Sequence, residues 1–209
     1  MSEIILELRQ NQRQSAEDAP GLQTYLAPLV GEAFRFARFS YGDELTLHFG
    51  DLRPARSPKL RGHFSGVYIL GARGSAWIIK SGSESLAVAA GVFPDSLAAD
   101  LGKPLSKQDF EKNPVIAVES RVVEANPFPV KPINGFGLQV RFSDGSTLLI
   151  LPTPPEADEP GDEALPELAD WELLSPSGLL SAWPGLQWSF KPSAENGSAV
   201  GPPAAQARN

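Results

Sequence analysis

The sequence has no cysteine and few histidines, and these absences exclude several kinds of chemistry. Without cysteine, the chain cannot form disulfides, thiolate metal sites or cysteine nucleophiles. A metal site built on histidine would need both His48 and His63 together with carboxylates. Long apolar runs are also missing, since a membrane-spanning helix needs ~20 apolar residues and the N-terminal residues lack the apolar run of a signal peptide. We therefore expect a soluble, cytoplasmic protein without a metal or other cofactor.

Motifs for nucleotide binding and nucleophilic catalysis are also missing. No glycine loop precedes a Walker-type lysine, no G-x-G-x-x-G follows a predicted strand, and there is no G-x-S-x-G. The segment GARGS at 71–75 has the wrong spacing for a phosphate loop, so we interpret it as a turn. The net charge of −7 argues against general nucleic-acid binding, which needs a basic face. These absences favour a non-enzymatic protein, with no catalytic residue to name.

The clearest local pattern is a hairpin at 135–151. Leu138, Val140 and Phe142 alternate with polar residues, as in a strand with one buried face. Asp144 and Gly145 follow, and we expect a two-residue primed turn there because both residue types tolerate positive φ. The return strand is apolar without alternation, which is typical of a strand covered on both faces. Further strands are predicted at 33–39, 44–49, 66–72, 76–80, 86–90, 115–125, 171–174, 179–183 and 186–190.

The composition favours short strands joined by turns, because the chain contains 19 glycines and 20 prolines. Short helices are predicted at 93–102 and 106–113, each bounded by capping or stopping residues. The fold class is therefore mainly β, or α+β at most, with two antiparallel β-sheet halves around a short helical insert. The expected units are a partly mobile N-terminal segment (1–23), a first β half (24–92), the insert (93–114), a second β half (115–191) and a tail that a partner would have to order (192–209).

The two halves share a spacing that suggests an internal repeat. The segment LTLHFGD at 45–51 recurs as LQVRFSD at 138–144, with Leu, Phe and Asp in register 93 residues apart. Trp77 and Trp171 lie 94 residues apart, and each lies at or next to the start of a predicted strand. One explanation is the duplication of one small sheet, with the copies packed together. The other is that any two hairpins with buried alternation look alike.

The C-terminal pattern WELLSPSGLLSAWPGLQWSF, together with the preceding hairpin FSDGSTLLIL, resembles a group of small uncharacterised bacterial β-rich proteins. Some proteins of this type are immunity-like. The resemblance is one of pattern, covers about the last third of the chain and transfers no functional residue. It implies a bacterial protein and favours a binding function.

Charge is segregated along the chain, and two segments are candidate binding sites. Arg53, Arg56, Lys59 and Arg61 lie within nine residues that contain no acid, in a predicted loop at 51–63. They could dock an acidic partner or a nucleic-acid backbone, or they could keep the loop solvated and pair with the protein's own acidic segment. That acidic segment begins in a predicted exposed loop, continues to Asp170 and could cover a basic partner such as a toxin. Its candidate binding residues are Glu156, Asp158, Glu159, Asp162 and Glu163.

Two further side chains are candidates for function. Trp183 lies in a predicted turn, where we expect it to be exposed and able to anchor an interface. His48 lies on the strand face opposite Leu45 and Leu47, so we expect it to face solvent or the edge of the core. With Asp43 or Asp51 it could centre a catalytic site.

The sequence therefore favours a non-enzymatic protein-binding protein of the bacterial cytoplasm. Immunity-type inhibition of a toxin is its most specific form. The alternatives are a structural subunit of a larger assembly and a small hydrolase or lyase centred on His48. The expected partner is another protein.

Overall fold

The computed structural model describes residues 19–39, 44–54, 62–73, 75–81, 87–91, 115–130, 135–152 and 168–193. Over these ranges the chain forms two short helices and eleven strands in two antiparallel sheets, so the predicted mainly β class is confirmed. Helix α1 is Ala19–Leu26, and a 3-10 helix, Ala27–Leu29, follows it directly. The strands are β1 (Phe34–Phe39), β2 (Leu45–Pro54), β3 (Phe64–Ala72), β4 (Ser75–Lys80), β5 (Ala87–Ala90), β6 (Val122–Val130), β7 (Gly135–Phe142), β8 (Thr147–Pro152), β9 (Trp171–Ser175), β10 (Gly178–Trp183) and β11 (Gln187–Pro192).

The two sheets are built from strands of both sequence halves. The six-stranded sheet has the order β1-β2-β3-β9-β10-β11, and the five-stranded sheet has the order β5-β4-β8-β7-β6. The chain therefore changes sheets between β3 and β4 and again between β8 and β9. The insert predicted at 93–114 lies outside the described residues, as do 1–18 and 194–209. The described part of the 192–209 segment shows that β11 extends to Pro192.

The residues that alternate in the sequence face the core. Leu45, Leu47 and Phe49 of β2 are fully buried, as expected for the inward positions of a half-buried strand. The pairing of β1 with β2 shifts between Phe34 and Phe36. Such a shift marks a bulge in β1, in agreement with the uneven spacing of its phenylalanines.

The turn between β7 and β8 differs from the expected two-residue turn. The Phe142 N–H donates to the Ser146 carbonyl at 3.0 Å, so residues 143–145 form a three-residue loop. Gly145 has a φ of 87°, whereas Asp144 does not enter the positive-φ region. Instead, the Asp144 carboxylate accepts hydrogen bonds from the Ser146 N–H at 2.9 Å and the Ser146 hydroxyl at 2.6 Å. A single left-handed glycine is enough for this longer hairpin loop.

Strand β6 lies further along the chain than the sequence predicts. The strand expected at 115–125 is confirmed only over 122–125, because β6 covers Val122–Val130 and runs through Pro127 and Pro129. The physical reason is that β6 is an edge strand of the five-stranded sheet, where a residue without an N–H can sit without removing a ladder bond. Strand β2 likewise runs to Pro54, into the segment expected to be a loop.

The two sheets enclose one apolar core. The buried Trp171 of β9 donates its indole N–H to the Phe136 carbonyl of β7 at 2.8 Å, which joins the two sheets. Helix α1 contacts both sheets as well. Its Gln23 amide donates to a carbonyl of β6 at 2.9 Å, and its Tyr25 ring stacks on Phe190 of β11 with centroids 4.3 Å apart.

The two sheets repeat one pairing register. Leu45 and Leu138, which suggested a repeat in the sequence, occupy matching positions, and so do Trp171 and Trp77. Strand β6 also has an irregularity, after Val122, that matches the bulge of β1. The cross-strand row Leu45, Ala72, Trp171, Ala182 of one sheet corresponds to the row Leu138, Ile150, Trp77, Ala90 of the other.

Gly31 and Glu119 occupy matching positions before β1 and β6, and both have left-handed backbone, with φ of 93° and 71°. A side chain is strained in this region by about 1 kcal/mol, whereas glycine is not. We therefore expect E119G to have a free energy of unfolding about 1 kcal/mol higher than E119A. Because both variants lose the exposed ion pair with Arg35, the comparison isolates the backbone conformation. Urea unfolding measures it, and equal stabilities would contradict the prediction.

Candidate functional site

A line of neighbouring side chains crosses the six-stranded sheet on the face turned away from the core. In β3, Ile69 precedes the buried Leu70, and in β9, Leu174 follows the buried Leu173. Leu174 is 46% exposed. With strands about 4.8 Å apart, the line is about 24 Å long. We name it the outer row, and its members are Phe36, His48, Ile69, Leu174, Leu179 and Lys191.

His48 of the outer row is 5% exposed, which corrects the expectation that it faces solvent or the edge of the core. Its ring stacks on Phe36 with centroids 4.3 Å apart, and its Nδ1 accepts a hydrogen bond from the Gly66 N–H at 3.2 Å. Gly66 can approach because it has no Cβ; an added Cβ would lie 2.4 Å from the Phe49 carbonyl oxygen. Burial, followed by the charge of Arg38, lowers the pKa of His48 to about 4. The uncharged ring therefore links three neighbouring strands, because it contacts Phe36 of β1 and Gly66 of β3 from its own position in β2.

The end of the β2–β3 hairpin lies next to the outer row and exposes two apolar side chains. Leu52 and Phe64 are 46% and 47% exposed there. Arg38 donates to the Phe64 carbonyl at 3.2 Å while its guanidinium lies 4.8 Å from the centre of the Phe36 ring. Arg53 is exposed on the same segment. We call the segment formed by Leu52, Arg53, Pro54 and Phe64 the hairpin tip.

The matching line on the five-stranded sheet has polar residues at four of its five positions. Its Arg141 forms an exposed ion pair with Glu124 at 3.1 Å. At the positions that match Thr147 and Lys80, the six-stranded sheet has the apolar residues Ile69 of β3 and Leu174 of β9. An antiparallel sheet with one solvated face normally has polar residues on that face, as this line does at Glu124, Arg141, Thr147 and Lys80. Elsewhere on the same face, Ala76 and Ile78 are apolar and buried. The matching line consists of Glu124, Arg141, Thr147, Lys80 and Ala87.

Positive charge lies at both ends of the outer row. Arg38 is exposed at the β1 end, and Lys191 is exposed at the β11 end. Next to the row, Glu172 pairs with Arg73 at 3.1 Å and accepts a hydrogen bond from Ser181 at 3.1 Å. The negative charge of Glu172 is therefore balanced within the sheet. The cationic ends contrast with the net charge of −7 of the whole chain.

Asp170 is a second group with a strongly shifted pKa, and it lies next to the connection between β3 and β4. Its backbone carbonyl accepts from the Arg73 N–H at 3.2 Å and the Ser75 hydroxyl at 2.8 Å. Burial raises the pKa of its carboxyl to about 7. Within the described part of the chain its Oδ2 has no hydrogen-bond partner. Because Asp170 is 2% exposed, it does not belong to an exposed acidic surface, which corrects that expectation.

The described ranges contain two of the predicted binding residues. Arg53 is exposed on the hairpin tip. Trp183, expected to be exposed, is half-buried at the end of β10 and donates its indole N–H to the Ser189 hydroxyl at 3.0 Å. Asp51 is exposed, whereas Asp43 is outside the described ranges. The remaining predicted residues outside them are Arg56, Lys59, Arg61, Glu156, Asp158, Glu159, Asp162 and Glu163.

Sequence reasoning missed the outer row, although a signal was present. The runs VYIL in β3 and WELL in β9 put apolar residues on both faces of their strands. An apolar run of this kind is typical of a strand covered on both faces. The structure covers one side with the core and leaves Leu174 exposed on the other.

Comparison with protein-family models, with curated proteins and with solved structures found no match. Among the residues that the structure describes, no helix has the length and apolar character needed to cross a membrane. The same residues include no group of three or more His, Asp or Glu side chains that could hold a metal ion.

Asp170 and His48 should give opposite pH dependences of stability. The folded-state pKa of Asp170 is about 7 against an ordinary 3.8, so the free energy of unfolding falls as pH rises from about 4 to 7, by roughly 2–4 kcal/mol. The folded-state pKa of His48 is about 4 against 6.5, so its contribution rises with pH between those values. D170N should therefore become more stable with rising pH, and H48N should become less stable.

Urea unfolding of the native chain and both variants from pH 4 to 8 measures these slopes. H48N is a suitable variant because the Asn oxygen can still accept from the Gly66 N–H without titrating. A D170N profile parallel to that of the native chain would show that the Asp170 carboxyl is ionised in the folded protein.

Proposed function

We propose that this chain is a non-enzymatic protein-binding protein whose partner docks on the outer row and the hairpin tip. The observation that carries the proposal is the contrast between the matching lines of the two sheets. Ile69 and Leu174 stand where the five-stranded sheet has Thr147 and Lys80. An apolar line on a water-facing sheet, next to a hairpin tip with an exposed Leu52 and Phe64, is typical of an interface.

The partner that fits this face is a separate protein with an apolar centre and carboxylates on either side. Arg38 and Lys191, at the two ends of the row, would meet those carboxylates. A second copy of the chain fits less well, because in either orientation of the row one cationic end would meet another. Complementary charge of this kind speeds association and selects the partner.

Inhibition of a toxin in the bacterial cytoplasm is the most specific form of the proposal. Its support is the C-terminal sequence pattern, which resembles immunity-like proteins. Catalysis centred on His48 has less support. With a pKa of about 4 the ring is a poor base, and its Nδ1 already accepts the Gly66 N–H.

We also propose that the two sequence halves are copies produced by internal duplication. The support is the shared register of the two sheets, which includes the matching irregularities of β1 and β6 and the matching tryptophans. Strand β11 has no counterpart among the described strands. On this proposal, the outer row is a face on which one copy has diverged from the other.

The outer row can be replaced by the residues of the matching line. We expect I69T together with L174K to leave the protein folded, because both side chains lie outside the core and such substitutions change stability by about 1 kcal/mol or less. Affinity for the partner should fall by at least about tenfold, since buried apolar anchors carry most interface energy. Affinity capture from the native lysate, followed by a titration of the captured protein, measures the change.

E124Q together with R141Q is the matched control on the five-stranded sheet, because it removes an exposed ion pair and leaves the outer row intact. A partner that the native chain and this control retain and the outer-row variant loses supports the proposal. Equal retention by all three proteins, or no protein captured in stoichiometric amounts, contradicts it.

A further inference from the structure

We infer that the contact between the two sequence halves, which we call the seam, has the geometry of an interface between two identical subunits. On this inference, the surface that each half presents at the seam also fits a second copy of the same half. The inference rests on the proposed duplication and is independent of the outer row. The seam has three parts: the pairing of β3 with β9, the pairing of β8 with β4, and the contact between the segments before β1 and β6.

The segments before β1 and β6 meet through reciprocal hydrogen bonds. The Gly31 N–H donates to the Val122 carbonyl at 2.8 Å. The matching Glu119 N–H donates to the Phe34 carbonyl, the match of Val122, at 2.9 Å. A twofold-symmetric interface has this property, because residue i meets j wherever j meets i. The second reciprocal set is Phe34 N–H to Ser120 carbonyl at 2.7 Å and Val122 N–H to Glu32 carbonyl at 2.9 Å.

Matching residues also meet each other at the centre of the seam. Ala33 forms a bridge with Arg121, which is its match in the other half. Phe49 stacks on Phe142, its own match, with ring planes 10° apart and centroids 6.2 Å apart. In a twofold dimer the residues on the axis contact their own copies, so these two contacts mark a pseudo-twofold axis through the core.

Each half is incomplete without the seam. The outer edge of β3 pairs with β9, and the outer edge of β8 pairs with β4. A half on its own would therefore expose unpaired edges beside an open apolar face, and a copy with the same register would cover them. Each half therefore contributes a hairpin to the sheet of the other half, as the subunits of an intertwined dimer do. In this protein the two halves are joined covalently by the chain between Gly91 and Val115.

The full chain with a protease site inserted in the 92–114 segment tests the inference. After cleavage, the two pieces should stay together as one particle of the original size, with an unfolding midpoint that rises with protein concentration. After unfolding and refolding, native mass spectrometry should detect pairs of two second halves as well as the original pair. Separation of the pieces before unfolding would overturn the interface itself. Refolding to the original pair alone would overturn the equivalence of the halves, and the proposed duplication with it.

Substitutions in the intact chain keep the inference testable if the cleaved pieces do not refold. E119G together with R121A copies the residues of the first half at the axis, Gly31 and Ala33. The control S120G together with V122A places the same residues one position further along. The E119G and R121A variant should have an unfolding midpoint at or above that of the native chain, whereas the control variant should have a lower one. A similar fall of the unfolding midpoint in both variants would overturn the equivalence of the two halves.

Discussion

The pairing of β3 with β9 and of β8 with β4 is the constraint on which the rest of the structure depends. Neither sequence half contains both members of either pair, so each sheet is completed by strands from the other half. Trp171 lies in β9 and Trp77 in β4, the two strands that make these pairs, and both side chains are fully buried. Opening one seam would therefore expose a sheet edge and a large apolar side chain together, which couples the two halves into one cooperative unit.

The constraint also explains how the outer face of one sheet can differ so much from that of the other. The inward residues of both sheets are similar in kind, because they fill one shared core. The outward residues are free of that requirement. On the five-stranded sheet they include the exposed pair of Glu124 and Arg141, whereas the six-stranded sheet has the stacked rings of Phe36 and His48 at the matching place. The difference lies in the outward side chains, since the backbone register is the same.

Much of the fold could be predicted from period-two alternation, because a strand's buried face depends on its own residues. Leu45, Leu47 and Phe49 pointed inward as expected, and the phenylalanine spacing of β1 revealed its bulge. Alternation says nothing about which strand lies next to which, so the exchange between the halves and the edge position that allows Pro127 in β6 could not be derived. The burial of His48 was missed for the same reason, since it depends on Gly66, a residue from another strand.

The candidate site was the less predictable part because its evidence is comparative. An apolar residue on a strand normally indicates core, and Ile69 and Leu174 become informative when their row is set beside Thr147 and Lys80. Such a comparison needs two sheets with one register, and the sheets of this chain match in this way. The six-stranded sheet also has the added strand β11, which lengthens the outer row by one strand and places Lys191 at its end. The outer row thus differs from the matching line in its apolar residues, its length and its terminal cation, and the proposal of an acidic, partly apolar partner rests on these differences.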